Sequence, residues 1–271
     1  MIGPRWRNRQ TRGTQNPVAL EAVWVRLPPL ALELRSLHPL NRKLMDLSEL
    51  KRLAGERAVD RICEGMVVGL GTGSTVYYAI RRLGERVQAG LKVRCIPTSG
   101  ETEKLAKEHR IPLIGFHQVE QLDLAIDGAD EVDPGCNLIK GGGGALLREK
   151  LVASTSRRVI ITVDETKLVE RLGTSPLPVE VIPFGWQATL RRLEGLGCRA
   201  ALREQGGKPF LTDNGNYIID CRFGEITDPA QLEQAIDLIP GVAECGLFIG
   251  LADEIIVGWR DGRVEEIPCP C

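Results

Sequence analysis

The 271-residue sequence predicts an α/β fold: a doubly wound, mostly parallel sheet that carries an inserted ferredoxin-like α+β domain. Three observations point there. Short apolar runs alternate with amphipathic helical stretches after Met45, which implies right-handed crossovers and parallel pairing. Between residues 175 and 246 the order changes to βαββαβ, the split pattern of a ferredoxin-like unit. The 30 glycines exceed the usual share of a globular chain, and several stand where apolar strand runs stop. No apolar run reaches the ~18 residues of a membrane helix, and a formal charge of −1 argues against a nucleic-acid partner.

The elements follow in order. Leu47, Leu50, Leu53, Ala54, Ala58 and Ile62 fall on one helical face behind a capping-box-like Asp46-x-x-Glu49. Met66–Leu70 is a strand, a glycine-rich turn follows, and a helix runs from Ser74 to about Leu83. Next come a strand at Lys92–Pro97, a helix at Glu101–His109, and strands at Ile111–Phe116 and Leu122–Ile126. Helix Ala145–Ser154 and strand Arg158–Val163 close this series. The second region reads as strand Val179–Pro183, helix Trp186–Leu196, strands Cys198–Arg203 and Tyr217–Phe223, helix Pro229–Leu238 and strand Val242–Leu247, with turns at Gly206-Gly207 and Asp213-Asn-Gly215. Strands at Glu254–Trp259 and Arg263–Ile267 rejoin the first sheet.

The expected organisation is therefore a Rossmann-like catalytic domain over residues 45–174 plus 247–271, and an inserted domain over 175–246. Residues 1–44 carry eight basic and two acidic residues, a net +6 that leaves −7 for the remainder. Rich in proline and without periodicity, this leader is expected to be a basic extension outside the fold. The eight cysteines show no Cys-x-x-Cys spacing and only three histidines accompany them, so no metal site is expected. The thiols read as reduced and cytoplasmic, with Cys269-Pro-Cys271 a dangling tail.

Three loops at strand ends carry the chemistry. Gly69-Leu-Gly-Thr72-Gly73-Ser74-Thr75 follows a strand and opens a helix, the geometry of a phosphate cradle with hydroxyls as further donors; a merely tight turn is the alternative. Neither the dinucleotide fingerprint nor the P-loop spacing is met. Asp127-Gly-Ala-Asp130-Glu-Val-Asp133 lacks EF-hand spacing; it is either a solvated turn or a carboxylate set aimed into the crevice from Asp127. Lys140-Gly141-Gly142-Gly143-Gly144 invites close backbone approach by a ligand, with Lys140 able to neutralise an oxyanion. Arg148 and Glu149 follow on the next helix, where a surface ion pair is the plain reading. Lys167 ends another strand at the same sheet edge. One crevice holding a cradle, carboxylates, lysines and a glycine loop fits proton transfer on a phosphorylated sugar.

At these residues the chain resembles ribose-5-phosphate isomerase type A. The likeness rests on Gly-Leu-Gly-Thr-Gly-Ser-Thr, Asp-Gly-Ala-Asp-Glu, Lys-Gly-Gly-Gly-Gly-Ala-Leu-Leu-Arg-Glu-Lys, Leu-Pro-Val-Glu-Val-Ile-Pro183, Thr212-Asp-Asn-Gly-Asn216 and Ile239-Pro-Gly-Val242, over about residues 45–267. The resemblance implies cofactor-independent interconversion of ribose 5-phosphate and ribulose 5-phosphate through an enediolate. It implies Glu149 as the proton-shuttling base, assisted by Asp127 and Lys140. Substrate contacts would come from Thr72, Gly73, Ser74, Thr75, Asp127, Gly128, Ala129, Asp130, Lys140, Gly141, Gly142, Gly143 and Lys167, with Lys51 reaching the phosphate. Gly144 departs from the family, many of whose members carry alanine there, and is expected only to loosen the loop. A small-molecule sugar phosphate is the expected partner and a homodimer or homotetramer the expected assembly. Two rival readings are a sugar-phosphate-sensing module, which has no use for a base, and a coenzyme A transferase with a glutamate acyl acceptor.

Overall fold

The computed structural model describes residues 45–270, so the expectations for residues 1–44 and for Cys271 lie outside it. Helix α1 (Leu47–Val59) starts where the Asp46 carboxylate accepts the Glu49 N–H at 2.9 Å. It is followed by β1 (Val67–Leu70), α2 (Val76–Gln88), β2 (Arg94–Pro97), α3 (Gly100–Glu108, capped by Ser99) and β3 (Leu124–Asp127). A short hairpin, β4 (Glu131–Val132) and β5 (Leu138–Ile139), precedes α4 (Leu146–Ser154) and β6 (Val159–Asp164). Then come β7 (Leu177–Val181), α5 (Trp186–Glu194), β8 (Arg199–Leu202), the hairpin β9 (Glu204–Gln205) and β10 (Lys208–Pro209), β11 (Tyr217–Arg222), α6 (Pro229–Asp237) and β12 (Val242–Cys245). The chain finishes with β13 (Leu247–Phe248), β14 (Glu254–Gly258) and β15 (Val264–Pro268).

The main sheet has the order β15-β14-β6-β3-β1-β2, parallel throughout except for β15, which returns antiparallel along β14. Period-two alternation sends its residues to two cores. Val68, Leu70, Leu124, Ile126, Ile160 and Ile256 pack with Ala54, Ala58, Ile80 and Leu83 of α1 and α2. Val67, Ala125, Val159, Ile161, Ile255 and Val257 pack with Leu146, Val152 and Ala153 of α4. Each such Leu, Ile or Val contributes roughly 1.5–3 kcal/mol by leaving water. A sheet covered on both faces is the doubly wound arrangement, and its ligand crevice lies at the carboxyl ends of β1, β3 and β6.

Strands β7, β8, β11 and β12 form an antiparallel sheet ordered β12-β7-β11-β8, the ferredoxin-like order, with its own core of Val179, Val181, Ile219, Cys221 and Leu247, while β9 and β10 pair only with each other. A small sheet, β13-β5-β4, joins this antiparallel lobe to the segment leading into Lys140.

Two expectations are corrected. Ile111–Phe116 forms no strand: only Leu113 bridges Cys95, and Phe116–Gln118 is a 3-10 turn. Pro112 has no N–H to give a ladder, and Gly115 adds no side chain to pack. Cys269 does not belong to a dangling tail, and not every cysteine is a free thiol. Cys269 is disulfide-bonded to Cys136, with Cα atoms 5.8 Å apart, and its N–H donates to the Asp253 carbonyl at 2.9 Å.

Candidate active site

The loop after β1 supports an anion site. Gly71 lies so close to Asp127 that a Cβ there would sit 2.1 Å from Oδ1, which is why glycine occupies it. The Thr72 hydroxyl turns backward, bonding the hydroxyls of Thr98 (2.8 Å), Ser99 (2.8 Å) and Thr102 (3.1 Å) at the start of α3. It therefore anchors the cradle from behind. Gly73 and Ser74 are exposed at the start of α2, and the N–H groups of Gly73, Ser74 and Thr75 take no acceptor among the described residues. Orphan donors at the positive end of a helix suit a phosphate.

The acidic run is not a solvated turn, because its carboxylates have separate structural partners. Asp127 is 5 % exposed; its Oδ1 accepts N–H groups from Gly128 (2.7 Å) and Thr72 (3.2 Å). Asp130 accepts the Gly142 N–H at 2.7 Å. Glu131, 2 % exposed, accepts from the backbone of Gly173 and Ser175. Asp133 ties the β4–β5 turn through Gly135 N–H and Asn137 N–H, both at 2.8 Å.

Beneath the crevice, Lys140 joins two carboxylates. Its Nζ lies 3.1 Å from Asp127 Oδ1 and 3.4 Å from Glu149 Oε1, and it donates to the Gly128 carbonyl. All three residues are buried. Glu149 is thus no surface ion-pair partner of Arg148, which turns outward to the Asp213 carbonyl and Asn214, each at 2.8 Å. Burial, reinforced by the negative charge of Asp127, pushes the Glu149 carboxyl up to about 8. Burial raises Asp127 as well, against the pull of Lys140 and the two N–H donors. Burial works against the Lys140 ammonium, but Asp127 and Glu149 outweigh it and hold the lysine charged above its ordinary value. Glu149 Oε2 has no hydrogen-bond partner. A lysine clamped between two carboxylates, one of them free to exchange a proton near neutral pH, is equipped for acid–base work.

These groups open onto a cavity of about 140 Å³ lined by the cradle residues, by Gly128, Ala129 and Asp130, by Lys140 to Gly143, by Glu149, and by Lys51 and Lys167. Every expected site residue is brought there except Asp127, which forms part of the floor below. Arg203 and Phe210 border the glycine loop and had no signal in the sequence, since both come from the antiparallel lobe. Glu149 did have one: it shares helical spacing with the buried Leu146, Val152 and Ala153, a charge on an apolar face. Away from the cavity, Asp237, Glu244 and Cys245 are the one group among the described residues compact enough for a metal ion, and the Lys150 ammonium already lies 2.6 Å from Glu244.

The chain matches known proteins along most of its described length. The family model for ribose 5-phosphate isomerase A (phosphoriboisomerase A) matches residues 94–262. Ribose-5-phosphate isomerase A of Gloeobacter violaceus is 58 % identical over 223 residues, covering 82 % of this chain and 96 % of its own. That of Bacillus mycoides is 52 % identical over 220 residues, covering 81 % of this chain and 100 % of its own. Among solved structures, a D-ribose-5-phosphate isomerase in complex with phospho-erythronic acid superposes with a TM-score of 0.80 at 44 % identity, over 83 % of this chain and all of that one. The enzyme from Methanocaldococcus jannaschii gives 0.78 at 42 % identity, over 82 % of this chain and 100 % of its own. The chain belongs to the ribose 5-phosphate isomerase A family.

Proposed function

We propose that the cavity interconverts ribose 5-phosphate and ribulose 5-phosphate, with Glu149 as the base. The observation that carries this reading is the buried Asp127–Lys140–Glu149 cluster opening onto a cavity walled by orphan helix N–H groups. With the phosphate at the start of α2 and beside Lys51, the open-chain sugar extends toward Lys140. Glu149 removes the C2 proton, the C1 carbonyl oxygen becomes the enediolate oxyanion, and the same carboxyl returns the proton to C1. Lys140 supplies the positive charge that the oxyanion needs in a site with little water. Asp127, hydrogen-bonded by backbone N–H and by Lys140, serves the hydroxyl proton exchange and ring opening. Phosphate binding, remote from C1 and C2, holds the sugar in register. Membership of an isomerase family favours this reading over a sensing module or a coenzyme A transferase.

On this reading the division into 45–174 plus 247–271 and 175–246 separates the sheet and the helix α4 that carries the base from the lobe that flanks the glycine loop. The enzyme acts in the cytoplasm as a homodimer or homotetramer, and Phe184 (94 % exposed) and Leu238 (83 % exposed) are apolar surface that assembly would cover. A coupled assay with ribose 5-phosphate tests the function, and unphosphorylated ribose tests the cradle. Equal turnover of both sugars would remove the phosphate from the account, and no turnover of either would remove the isomerase reading. Sedimentation of the full chain tests the assembly.

A further inference from the structure

The glycine loop is held from two sides, and one side belongs to the antiparallel lobe. Arg203, just past β8, donates from Nη1 to the carbonyls of both Gly141 and Gly142, each at 3.0 Å. The rest of its guanidinium is committed elsewhere: Nε and Nη2 form a two-point pair with the Asp220 carboxylate on β11, at 2.9 and 2.5 Å. Its Cζ lies over the Phe210 ring, 5.8 Å from the ring centre. Phe210 in turn closes on Gly144, whose φ is +80° and where a Cβ would meet the ring at 2.4 Å. Glycine at 144 therefore does not loosen the loop, as the sequence suggested; it makes room for the ring that backs Arg203.

The consequence lies in the peptide planes. In a trans peptide the C=O and the following N–H point in opposite directions. Arg203 takes the Gly141 carbonyl on one side while Asp130 takes the Gly142 N–H of the same plane at 2.7 Å on the other. The next plane has its carbonyl on Arg203 too, which sends the Gly143 N–H away from Arg203. That N–H takes no acceptor among the described residues, and Gly143 lines the cavity beside Lys140.

We propose that Arg203, fixed by Asp220 and Phe210, is a positioning residue of the isomerase reaction: it orients two glycine-loop peptides so that the Gly143 N–H faces the developing oxyanion. The inference rests on the isomerase reading of the cavity. Arg203 touches no reacting atom. The Gly144 N–H already closes the loop on the Gly141 carbonyl at 2.9 Å; the work of Arg203 is to fix the peptides that this turn leaves free to rotate, so that the donor is in place before charge develops.

The experiment is steady-state kinetics of R203M, R203K and D220N in the full chain, with inhibition by a phosphorylated aldonic acid as enediolate mimic and thermal melts as controls. R203M should lower kcat roughly 10- to 100-fold, the scale of a reacting group misplaced from a distance. KM should change less than about threefold, and the pH midpoint of kcat/KM should stay with Glu149, because the floor cluster is untouched. The mimic should weaken in step with kcat. R203K, which keeps the charge but not the fork, should fall between, and D220N should show a smaller loss of the same kind. An unchanged kcat in folded R203M overturns the proposal, as does a rise in KM alone or a moved pH midpoint. Should R203M fail to fold, D220N decides by the same criteria. A wild-type chain without isomerase activity would overturn the reading of the cavity; a fully active wild type with an equally active R203M would overturn only the role of Arg203.

Discussion

Two buried glutamates, Glu149 in the crevice and Glu180 on β7 of the antiparallel lobe, have opposite surroundings. Both are nearly sealed, 5 % and 0 % exposed, and each leaves Oε2 without a partner. Glu180 Oε1 accepts three neutral donors: the Thr212 hydroxyl at 2.9 Å and the Asn214 and Asn216 amides at 3.1 and 2.9 Å. Glu149 Oε1 meets only the Lys140 ammonium at 3.4 Å, and Lys140 is shared with Asp127. Fixed neutral dipoles replace the water that a carboxylate loses on burial, so Glu180 can serve as the hub of the Thr212–Asn216 loop. One shared cation replaces it incompletely, so Glu149 is left poised between its charged and neutral forms. Burial alone does not mark a reactive carboxyl; the kind and number of its donors do.

The sharpest way to break this contrast is to neutralise each glutamate. Glu149→Gln should lower kcat by about 10²–10⁴, since the amide keeps the shape but cannot accept the C2 proton. Retention of more than about a tenth of wild-type kcat would reject Glu149 as the base. Lys140→Met should come next, with a loss of about 10²–10³ in kcat that exceeds any rise in KM, measured in the same assay. Glu180→Gln should act on stability instead. It disturbs three hydrogen bonds at a buried hub, worth about 1–3 kcal/mol, which a thermal melt reads as a lower Tm. A Glu180→Gln protein with normal Tm and abolished turnover would erase the distinction.

The smallest effect concerns pH. The base must be ionised in the free enzyme, so kcat/KM should rise with pH to a midpoint near 8 and fall about tenfold per unit below it. A midpoint in the ordinary carboxylate range would place the titrating group elsewhere. The same shift has a stability counterpart. A carboxyl whose folded pKa is raised favours the folded state below its unfolded value of 4.5, and that advantage is lost as pH climbs toward about 8. The Tm of Glu149→Gln relative to wild type should therefore be higher at pH 8.5 than at pH 5. A difference independent of pH would show that Glu149 keeps its charge in both states.

Much of the scaffold is legible in the sequence because the parallel strands are short apolar runs bounded by turn residues. Val67–Leu70 and Leu124–Asp127 could hardly be anything else, and their ends place the Gly71–Thr75 loop and Asp127 at one crevice. What escaped was set by contacts between distant segments. The two-residue strands β4 and β5 are too short for periodicity to register. Ile111–Phe116 looks like a strand until Pro112 is weighed against the ladder. The inward turn of Glu149 was written in its spacing with Leu146 and Val152, but an adjacent arginine made a surface pair the plainer reading. Arg203 and Phe210 meet the glycine loop 61 and 66 residues down the chain from Gly142 and Gly144, across a fold that spacing cannot convey.

The bond between Cys136 and Cys269 turns most of the catalytic chain into a covalent ring. It begins four residues before Lys140, encloses Glu149 and the whole antiparallel lobe, and closes beyond β15. A ring survives one cut. Cleavage at the exposed Gly206-Gly207 turn would open the circle without releasing a fragment, so the nicked protein should run as one band on a denaturing gel and separate into two only after reduction. The severed halves, still tethered, would find each other again after unfolding as an intramolecular event rather than a bimolecular one. Two bands without reductant would show the pair to be open thiols.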